Sequence, residues 1–302
     1  MASRSIAPNG HKPSYWHSLG TEPMTHHTIG QLVDIAAERW GDKEALLSLY
    51  QDHRITFSEA RDKADHLAAG LLQLGLSPGD RLAIWGPNSI QWYISRLAAA
   101  RGGFIAVQID PAYQAPELLH SLTKVGVKAL ISTESYKTSC SYQILRAVIP
   151  ELDNCPESGD QLRCAKVPSL RSLVIMSNRQ YRGAYRFSDV IASASPESLK
   201  RIKDLQTLIQ PDAGCTIQYS SGTTGHPKAT LATHHILVNN AIIAGKCMEL
   251  NTEETRLLVC PLFCHVTGSV CGIICGLWYG YTTVLPAATF DATKTLASIQ
   301  QE

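Results

Sequence analysis

The chain has 302 residues, of which 44% are hydrophobic, and its 27 Lys and Arg nearly balance its 26 Asp and Glu. That length can bury a substantial core in one large domain or two modest ones. A formal net charge of +1, without any cluster of basic and aromatic residues, argues against a nucleic-acid-binding protein.

The first 27 residues show no apolar periodicity and are predicted to form an irregular tail. The following half reads as alternating helices and strands. A capping box of Thr56 and Glu59 marks the start of the second helix, and Asn88 is placed to cap the third. The predicted elements are a helix over 28–40, a strand over 45–49, a helix over 56–75, a strand over 81–85, a helix from 88 to 101, a strand over 104–109, a helix near 116–125 and a strand over 128–132.

The remaining chain continues the alternation after a loop-rich stretch. The predicted elements are a strand over 170–177, a helix over 196–209, a strand over 215–219, a helix from 233, a strand over 256–260, a turn over 261–265, a glycine-rich helix and a strand over 282–285. This order is typical of βαβ units. We therefore predict an α/β fold with mostly parallel sheets and helices on both faces. The only candidate internal boundary lies within 150–214.

The longest apolar stretch, Val266 to Tyr279, is interrupted by three glycines and falls short of the roughly 20 residues that a membrane-spanning helix needs. No transmembrane segment is predicted. Two basic residues, Arg4 and Lys12, precede the first acidic residue, Glu22. Two prolines in this region would interrupt an amphipathic targeting helix, so the sequence does not decide whether a targeting signal is present.

Nine cysteines occur without any C-x-x-C pair. Cys260 and Cys264 are spaced i, i+4, as are Cys271 and Cys275, but no second cluster of His or Cys supplies the usual metal-ligand spacing. We expect most of the cysteines to be small buried residues in a reducing compartment. A metal–thiolate site is the less favoured alternative, and no residue is assigned as a metal ligand.

The most informative segment follows the strand predicted at 215–219, in which Cys215, Ile217 and Tyr219 share one face. It consists of Ser220, Ser221, Gly222, Thr223, Thr224, Gly225, His226, Pro227 and Lys228. Such a loop can direct hydroxyls and backbone N–H groups toward one anion, and its lysine adds a compact positive charge. On composition alone an ordinary hydrophilic loop is the favoured interpretation, and the ligand that the arrangement would suit is a polyphosphate.

This loop is not a Walker A motif, because Ala229 follows its lysine where that motif has Ser or Thr; a P-loop kinase is disfavoured. Its order Ser-Ser-Gly-Thr-Thr-Gly-x-Pro-Lys resembles the signature of the adenylate-forming (AMP-binding) superfamily. The resemblance runs from about residue 28 to the end of the chain. It is greatest to the mitochondrial medium-chain acyl-CoA ligase type of the acyl-CoA synthetase family. The other segments that carry it are Gly79–Leu82, Trp85–Ser89, Asp110–Gln114 and Lys124–Ala129.

A second motif, Pro261, Leu262, Phe263, His265 and Gly268, resembles the family pattern Pro-Leu-Phe-His-x-x-Gly. The resemblance implies that this segment borders the acyl pocket, with His265 near the reacting carboxylate and Gly268 shaping the pocket. Cys264 is one residue more than the pattern has. On the residues alone, a hydrogen-bonded core histidine is the favoured interpretation of His265.

The resemblance implies an ATP-dependent fatty acyl-CoA synthetase with ATP, Mg²⁺ and CoA as cofactor and co-substrates and a fatty acid as partner. A fatty carboxylate would attack the α-phosphate of ATP and release pyrophosphate, and the CoA thiolate would then displace AMP. The loop of 220–228 would hold the β- and γ-phosphates. The implied location is the mitochondrion, or the cytoplasm if no transit peptide exists.

The family also has later adenine and ribose segments and a C-terminal domain with a catalytic lysine, which residues 290–302 do not contain. We therefore expect residues 28–302 to form an incomplete N-terminal AMP-binding domain that is inactive alone, with its catalytic residues unassigned. Two alternatives remain: a non-catalytic isoform that binds nucleotide or a partner, and an adenylating enzyme for another carboxylate.

Overall fold

The computed structural model describes residues 23–160, 162–220, 227–250 and 255–302. The helices are α1 (Ile29–Trp40), α2 (Phe57–Gln73), α3 (Ile90–Arg101), α4 (Ala115–Lys124), α5 (Ser141–Val148), α6 (Phe187–Ala192), α7 (Pro196–Leu208), α8 (His234–Cys247), α9 (Val266–Ser269), α10 (Cys275–Tyr279) and α11 (Ala292–Gln301), with a π-helical turn (Val270–Ile274) joining α9 to α10. The strands are β1 (Glu44–Ser48), β2 (His53–Thr56), β3 (Arg81–Trp85), β4 (Ile105–Ile109), β5 (Ala129–Thr133), β6 (Ser135–Tyr136), β7 (Ser139–Cys140), β8 (Ser172–Met176), β9 (Tyr185–Arg186), β10 (Gly214–Ser220), β11 (Lys228–Thr233), β12 (Arg256–Leu258) and β13 (Thr282–Leu285).

Two large sheets organise the described residues, and β6 and β7 form a third, two-stranded sheet. The larger has the order β11-β10-β4-β3-β5-β8-β9 and is parallel except for β11, which pairs antiparallel with β10. The smaller has the order β12-β13-β1-β2, with only β2 antiparallel. Long crossovers between neighbouring parallel strands are the expected consequence of alternating helices and strands. The predicted α/β class is confirmed.

Helices cover both faces of the seven-stranded sheet, because successive residues of its strands point to opposite sides. Along β3, Leu82 and Ile84 pack with α1, α2 and α3, whereas Ala83 and Trp85 pack with α4 and α5. The strands are therefore apolar on both sides, as buried parallel strands are. Two cores result, one on each face.

Most predicted boundaries agree with the structure within two residues, and the Thr56–Glu59 capping box is present. The predicted cap at Asn88 is wrong: Ser89 is the N-cap of α3, and its hydroxyl accepts a hydrogen bond from the Trp92 N–H at 3.1 Å. Asn88 instead bonds to a distant loop, as described below. The sequence analysis does not predict the strands β2, β6, β7, β9 and β11 or the helices α5, α6 and α11.

The candidate boundary within 150–214 remains a prediction. β5 before this stretch, β8 inside it and β10 at its end all belong to the seven-stranded sheet. Among the described residues, no helix combines the length and the apolar character needed to cross a membrane.

Candidate functional site

The two ends of the predicted phosphate-binding loop are paired with each other. Residues 221–226 lie outside the described residues, but Ser220 ends β10 and Lys228 begins β11. These two residues are direct partners in the antiparallel pairing of the two strands. Partners of this kind have Cα atoms only about 5 Å apart. The loop therefore leaves from and returns to one point, and both of its described ends are exposed.

That point lies at the carboxyl end of β10. Because β10 runs parallel to β4, with Gln218 opposite Gln108, the loop emerges at the same edge of the sheet as the ends of β3 and β4. Ligands of open α/β sheets bind outside the carboxyl ends of the strands. The position of the loop is the one that this rule predicts for a ligand site.

The predicted alternation along β10 is partly wrong. A register shift lies between Gly214 and Thr216, so Cys215 is the extra residue of a β-bulge. Cys215 consequently packs into the core under α3, whereas Ile217 and Tyr219 pack into the core on the other face. Ile217 and Tyr219 do share a face, as predicted, and only the residue at the bulge changes side.

Two glutamines that sequence reasoning missed connect this strand to the second motif. Gln218 Nε2 donates to Gln108 Oε1 at 2.8 Å and to the carbonyl oxygen of Cys264 at 3.2 Å. Gln108 Nε2 in turn donates to Ser269 Oγ at 3.1 Å. The residues just before the phosphate loop are thus hydrogen-bonded to the segment around His265. The sequence feature that could have indicated this role is Gln108, the one polar residue within the otherwise apolar strand 105–109.

Asn88 fixes the start of the same segment from the other side. Its Nδ2 donates to the carbonyl oxygen of Pro261 at 2.9 Å, and the Phe263 N–H donates to its Oδ1 at 2.6 Å. Phe263 is fully buried, with its ring centroid 5.4 Å from that of Trp92. This aromatic residue of the motif is therefore part of the core and does not line an open pocket.

Cys264 and His265 point in opposite directions. Cys264 is buried, and burial, together with the nearby Asp110 carboxylate, raises the pKa of its thiol to about 12. His265 is the N-cap of α9 with 59% of its side chain exposed, so it is not a core histidine. The additional residue of the motif fills the interior, and the imidazole faces outward.

Among the described residues, the carboxylate of Asp110 lies close to His265. It follows β4, and its Oδ2 lies 3.8 Å from His265 Nε2. Its Oδ1 accepts a hydrogen bond from the Ala112 N–H at 2.8 Å, and its carbonyl oxygen accepts one from Trp85 Nε1 at 3.1 Å. Asp110 is thus rigidly held in a turn while facing the histidine, a pairing that the sequence separation of 155 residues concealed.

Gly268 allows α9 to pack closely against the turn that precedes it. A Cβ atom at this position would lie 2.1 Å from the carbonyl oxygen of Leu262, so any other residue would push α9 away from the preceding turn. The His265 N–H donates to the same carbonyl oxygen at 3.0 Å. Gly268 therefore sets the position of His265, and its role in shaping an acyl pocket stays a prediction.

Two clefts lie elsewhere on the same edge. One of about 840 Å³ is bordered by Gln51, Ile94, Arg179 and Phe187. A second, of about 420 Å³, is bordered by Lys137 and Thr289 among others. Neither is lined by Ser220, Lys228 or His265. The residues of the predicted site occupy an open surface.

All nine cysteines lie within the described ranges and none forms a disulfide. Five are buried, as expected for small apolar residues, whereas Cys247 is exposed. Within the described ranges, no group of three or more His, Cys, Asp or Glu residues has the geometry to hold a metal ion. The described residues therefore supply no cluster that fits Mg²⁺.

Comparison with known proteins independently supports the resemblance to adenylate-forming enzymes. The family model described as "AMP-binding enzyme" matches residues 33–302. The chain is 36% identical over 293 residues to the mitochondrial medium-chain acyl-CoA ligase ACSF2 of Pongo abelii, a match that spans 96% of this chain and 47% of that protein. It is 29% identical over 279 residues to the putative acyl-CoA synthetase YngI of Bacillus subtilis, covering 92% of this chain and 50% of that protein. The chain spans about half the length of these relatives.

Solved structures with the same fold include other ligases. The anthranilate CoA ligase AuaEII, in complex with anthranoyl-AMP, superposes with a TM-score of 0.75 at 21% identity, over 93% of this chain and 49% of that one. The N-terminal domain of FACL13 from Mycobacterium tuberculosis gives a TM-score of 0.70 at 21% identity, over 91% and 60%. With a matching family model over most of its length and the loop at the expected edge of the sheet, this chain belongs to the AMP-binding enzyme family.

Proposed function

We propose that the chain forms the ATP-phosphate and carboxylate side of the active site of a fatty acyl-CoA synthetase acting on medium-chain acids. One observation carries the proposal. The paired ends of the loop, Ser220 and Lys228, and the outward-facing His265 lie at one edge of the fold. Gln218 joins them through its hydrogen bond to the Cys264 carbonyl oxygen. The names of the relatives supply the substrate class.

In this reaction a carboxylate oxygen attacks the α-phosphorus of ATP, and the bond to pyrophosphate breaks. The CoA thiolate then attacks the acyl carbonyl carbon, and AMP leaves. The protein's task is to position the reactants and to stabilise phosphoryl charge. The loop of 220–228 would contribute hydroxyls, backbone N–H groups and the positive charge of Lys228 toward the β- and γ-phosphates. Mg²⁺, when bound with the nucleotide, would supply neutralisation of phosphate charge.

His265 would face the fatty carboxylate. Its Nε2 lies 3.8 Å from Asp110 Oδ2, which is within ion-pair distance but too far for a hydrogen bond. Gly268 and Asn88 would act by holding the 261–268 segment in place. The acyl chain would extend from His265 across the open surface.

Binding of Mg-ATP to the purified 302-residue chain, measured by isothermal titration calorimetry, tests the proposal. We expect Lys228→Ala to weaken binding at least 10-fold, because an exposed cation beside the loop is removed. Lys200→Ala, which removes an exposed lysine on α7, is the matched control and should bind like the wild type. Absence of binding, or equal binding by Lys228→Ala, would refute the phosphate assignment.

A second measurement separates catalysis from binding alone. Exchange of labelled pyrophosphate into ATP in the presence of octanoate reports formation of the acyl-adenylate. We expect these 302 residues alone to bind ATP without exchange, since they match only 47% of the length of the ligase relative. Exchange that disappears in Lys228→Ala would show that this chain suffices for adenylation.

We also propose a mitochondrial location, on the names of the relatives alone. Fractionation of cells that produce the tagged full chain, with protease protection of the isolated organelles, tests it. Recovery in the cytosolic fraction would contradict it.

A further inference from the structure

One face of α3 buries hydrogen-bond donors that have no acceptor among the described residues. Trp92 and Arg96 are four residues apart and therefore lie on the same face of the helix, and both are fully buried. Trp92 Nε1, Arg96 Nε and Arg96 Nη1 make no hydrogen bond within the described ranges. Buried polar atoms of folded proteins nearly always have a partner, so these three nitrogens require an acceptor.

The positive charge of Arg96 also lacks a counter-charge in the described part of the chain. Its Nη2 donates to Thr216 Oγ1 on β10 at 2.9 Å, which is a neutral partner. Among the described residues, the titratable groups that interact with it electrostatically are Cys215 and His234, and neither is a carboxylate. A guanidinium keeps its charge in proteins, and a buried charge without compensation is strongly destabilising. The site therefore needs a negative charge as well as an acceptor.

The two titratable neighbours do not supply that charge. Burial raises the pKa of the Cys215 thiol, although Arg96 acts to lower it, so the thiol is protonated near neutral pH. Burial, and secondarily the charge of Arg96, lowers the pKa of His234 to about 3, so its imidazole is neutral. Within the described part of the chain, Arg96 thus meets only neutral groups.

We infer that Trp92 and Arg96 bind a small monovalent anion of the size of chloride between α3 and β10. The anion accepts hydrogen bonds from the indole and guanidinium N–H groups and neutralises the buried charge. A water molecule satisfies the same donors but leaves the charge uncompensated. Both side chains are fully enclosed, which favours a monatomic ion over a larger one such as phosphate. Because Thr216 lies four residues before Ser220, the anion holds α3 against the strand that leads into the loop of 220–228.

Thermal unfolding of the 302-residue chain at constant ionic strength, with gluconate replaced stepwise by chloride, tests the inference. Gluconate is too large for an enclosed site. An ion that binds only the folded chain raises the Tm with its concentration, and we expect a rise of at least about 3 °C from gluconate to chloride. Arg96→Met, which removes the charge but keeps an unbranched side chain, should lose this rise. Arg54→Met, which alters an arginine 65% exposed on β2, is the matched control and should keep it.

A milder variant carries the test if Arg96→Met does not fold. Trp92→Phe keeps an aromatic ring beside Phe263, whose ring centroid lies 5.4 Å from that of Trp92, but removes one donor. We expect it to raise the chloride concentration that gives half of the Tm rise about 10-fold, because a hydrogen bond to a charged group is lost. An unchanged half-effect concentration would exclude Trp92 from the site.

Bromide locates the ion in crystals of the wild-type chain. An anomalous difference map should show a peak within hydrogen-bond distance of Arg96 Nε or Nη1 and of Trp92 Nε1. Bromide peaks confined to the surface, or an ordered water or a carboxylate side chain at that place, would overturn the inference. So would a chloride-dependent Tm rise of equal size in the wild type and Arg96→Met. Because no nucleotide is present, these outcomes do not depend on the ATP-binding proposal.

Discussion

Helices α3 and α11 are similar in length, with 12 and 10 residues, and opposite in placement. Eleven of the 12 residues of α3 are buried, including the charged Arg96 and Arg101. In α11 only Ser298 is buried, and its leucine and isoleucine face outward. The polarity of a residue therefore does not by itself decide its burial in this protein. The neighbouring elements decide it, and each group left inside must then find a partner.

The two arginines of α3 differ in how completely their guanidinium groups are hydrogen-bonded. Arg101 bonds to both carboxylate oxygens of Asp65, at 2.5 and 3.0 Å, and to Asp34 at 2.5 Å. Arg96 Nη2 donates to Thr216 Oγ1 at 2.9 Å, but its Nε and Nη1 have no partner among the described residues. Burial accordingly lowers the pKa of Arg96. The interior around α3 is therefore sensitive to the loss of any one polar partner.

Removal of the Arg101 counter-ion should have the largest effect. Asp65→Ala leaves the fully buried Arg101 guanidinium with only the partly exposed carboxylate of Asp34 as a counter-ion. We therefore expect the free energy of unfolding to fall by about 3–5 kcal/mol. Urea denaturation followed by circular dichroism measures it. Asp62→Ala, on the same helix but in an exposed pair with Arg61, should change it by less than about 0.5 kcal/mol. Equal effects of the two variants would contradict the comparison.

A histidine packed near α3 should make stability depend on pH. His234 is buried, and its Nδ1 accepts a hydrogen bond from the Ile29 N–H at 3.1 Å. Burial, and secondarily the charge of Arg96, lowers its pKa from 6.5 to about 3. Below pH 6.5 the unfolded chain therefore binds a proton that the folded chain does not. The contribution of His234 to the free energy of unfolding is present in full above pH 6.5 and is lost as the pH falls toward 3.

The expected loss from His234 is about 1.4 kcal/mol per pH unit below pH 6.5. Urea denaturation at pH 7, 6 and 5 should show a shallower pH dependence in His234→Gln than in the wild type. His53→Gln, which changes an exposed histidine, should keep the wild-type slope. A His234→Gln slope equal to that of the wild type would mean that His234 titrates alike in both states.

A smaller effect is expected just before α3. Asn88→Ala removes the acceptor of the Phe263 N–H and the donor to the Pro261 carbonyl oxygen. Loss of these buried bonds should cost about 1–3 kcal/mol. It should also loosen the segment that carries His265, visible as faster amide exchange at Phe263. Asn178→Ala, an exposed asparagine, is the control, and unchanged exchange at Phe263 would show that Asn88 does not hold the segment.

The smallest effect is expected on α11. Leu296→Ser should change the free energy of unfolding of the isolated chain by no more than about 0.5 kcal/mol, because the side chain is already mostly exposed. Thermal unfolding of the two proteins at matched concentration measures it. A loss of 2 kcal/mol or more would mean that Leu296 is covered in solution, and the contrast with α3 would fail.

Much of the architecture could be predicted from local patterns. Alternating segments of helical and strand periodicity gave the α/β class, and the Thr56–Glu59 capping box marked the start of α2. The predicted phosphate-binding loop stands out by its residue order, and its predicted position after a strand agrees with β10. These features depend on residues within a few positions of one another, so the chain carries them without reference to the rest of the fold.

Other features required the folded chain. The pairing of Ser220 with Lys228, the bond from Gln218 to the Cys264 carbonyl oxygen and the approach of His265 to Asp110 join elements from different parts of the chain. Sequence periodicity gave α3 a single apolar face, and only its position between α1, α2 and the sheet shows that nearly all of it is buried. Asn88 looked like a helix cap because its partners lie more than 170 residues away. Local sequence thus determined most of the helices and strands and where the predicted phosphate-binding loop begins, whereas long-range packing and hydrogen bonds decided which residues meet at that edge.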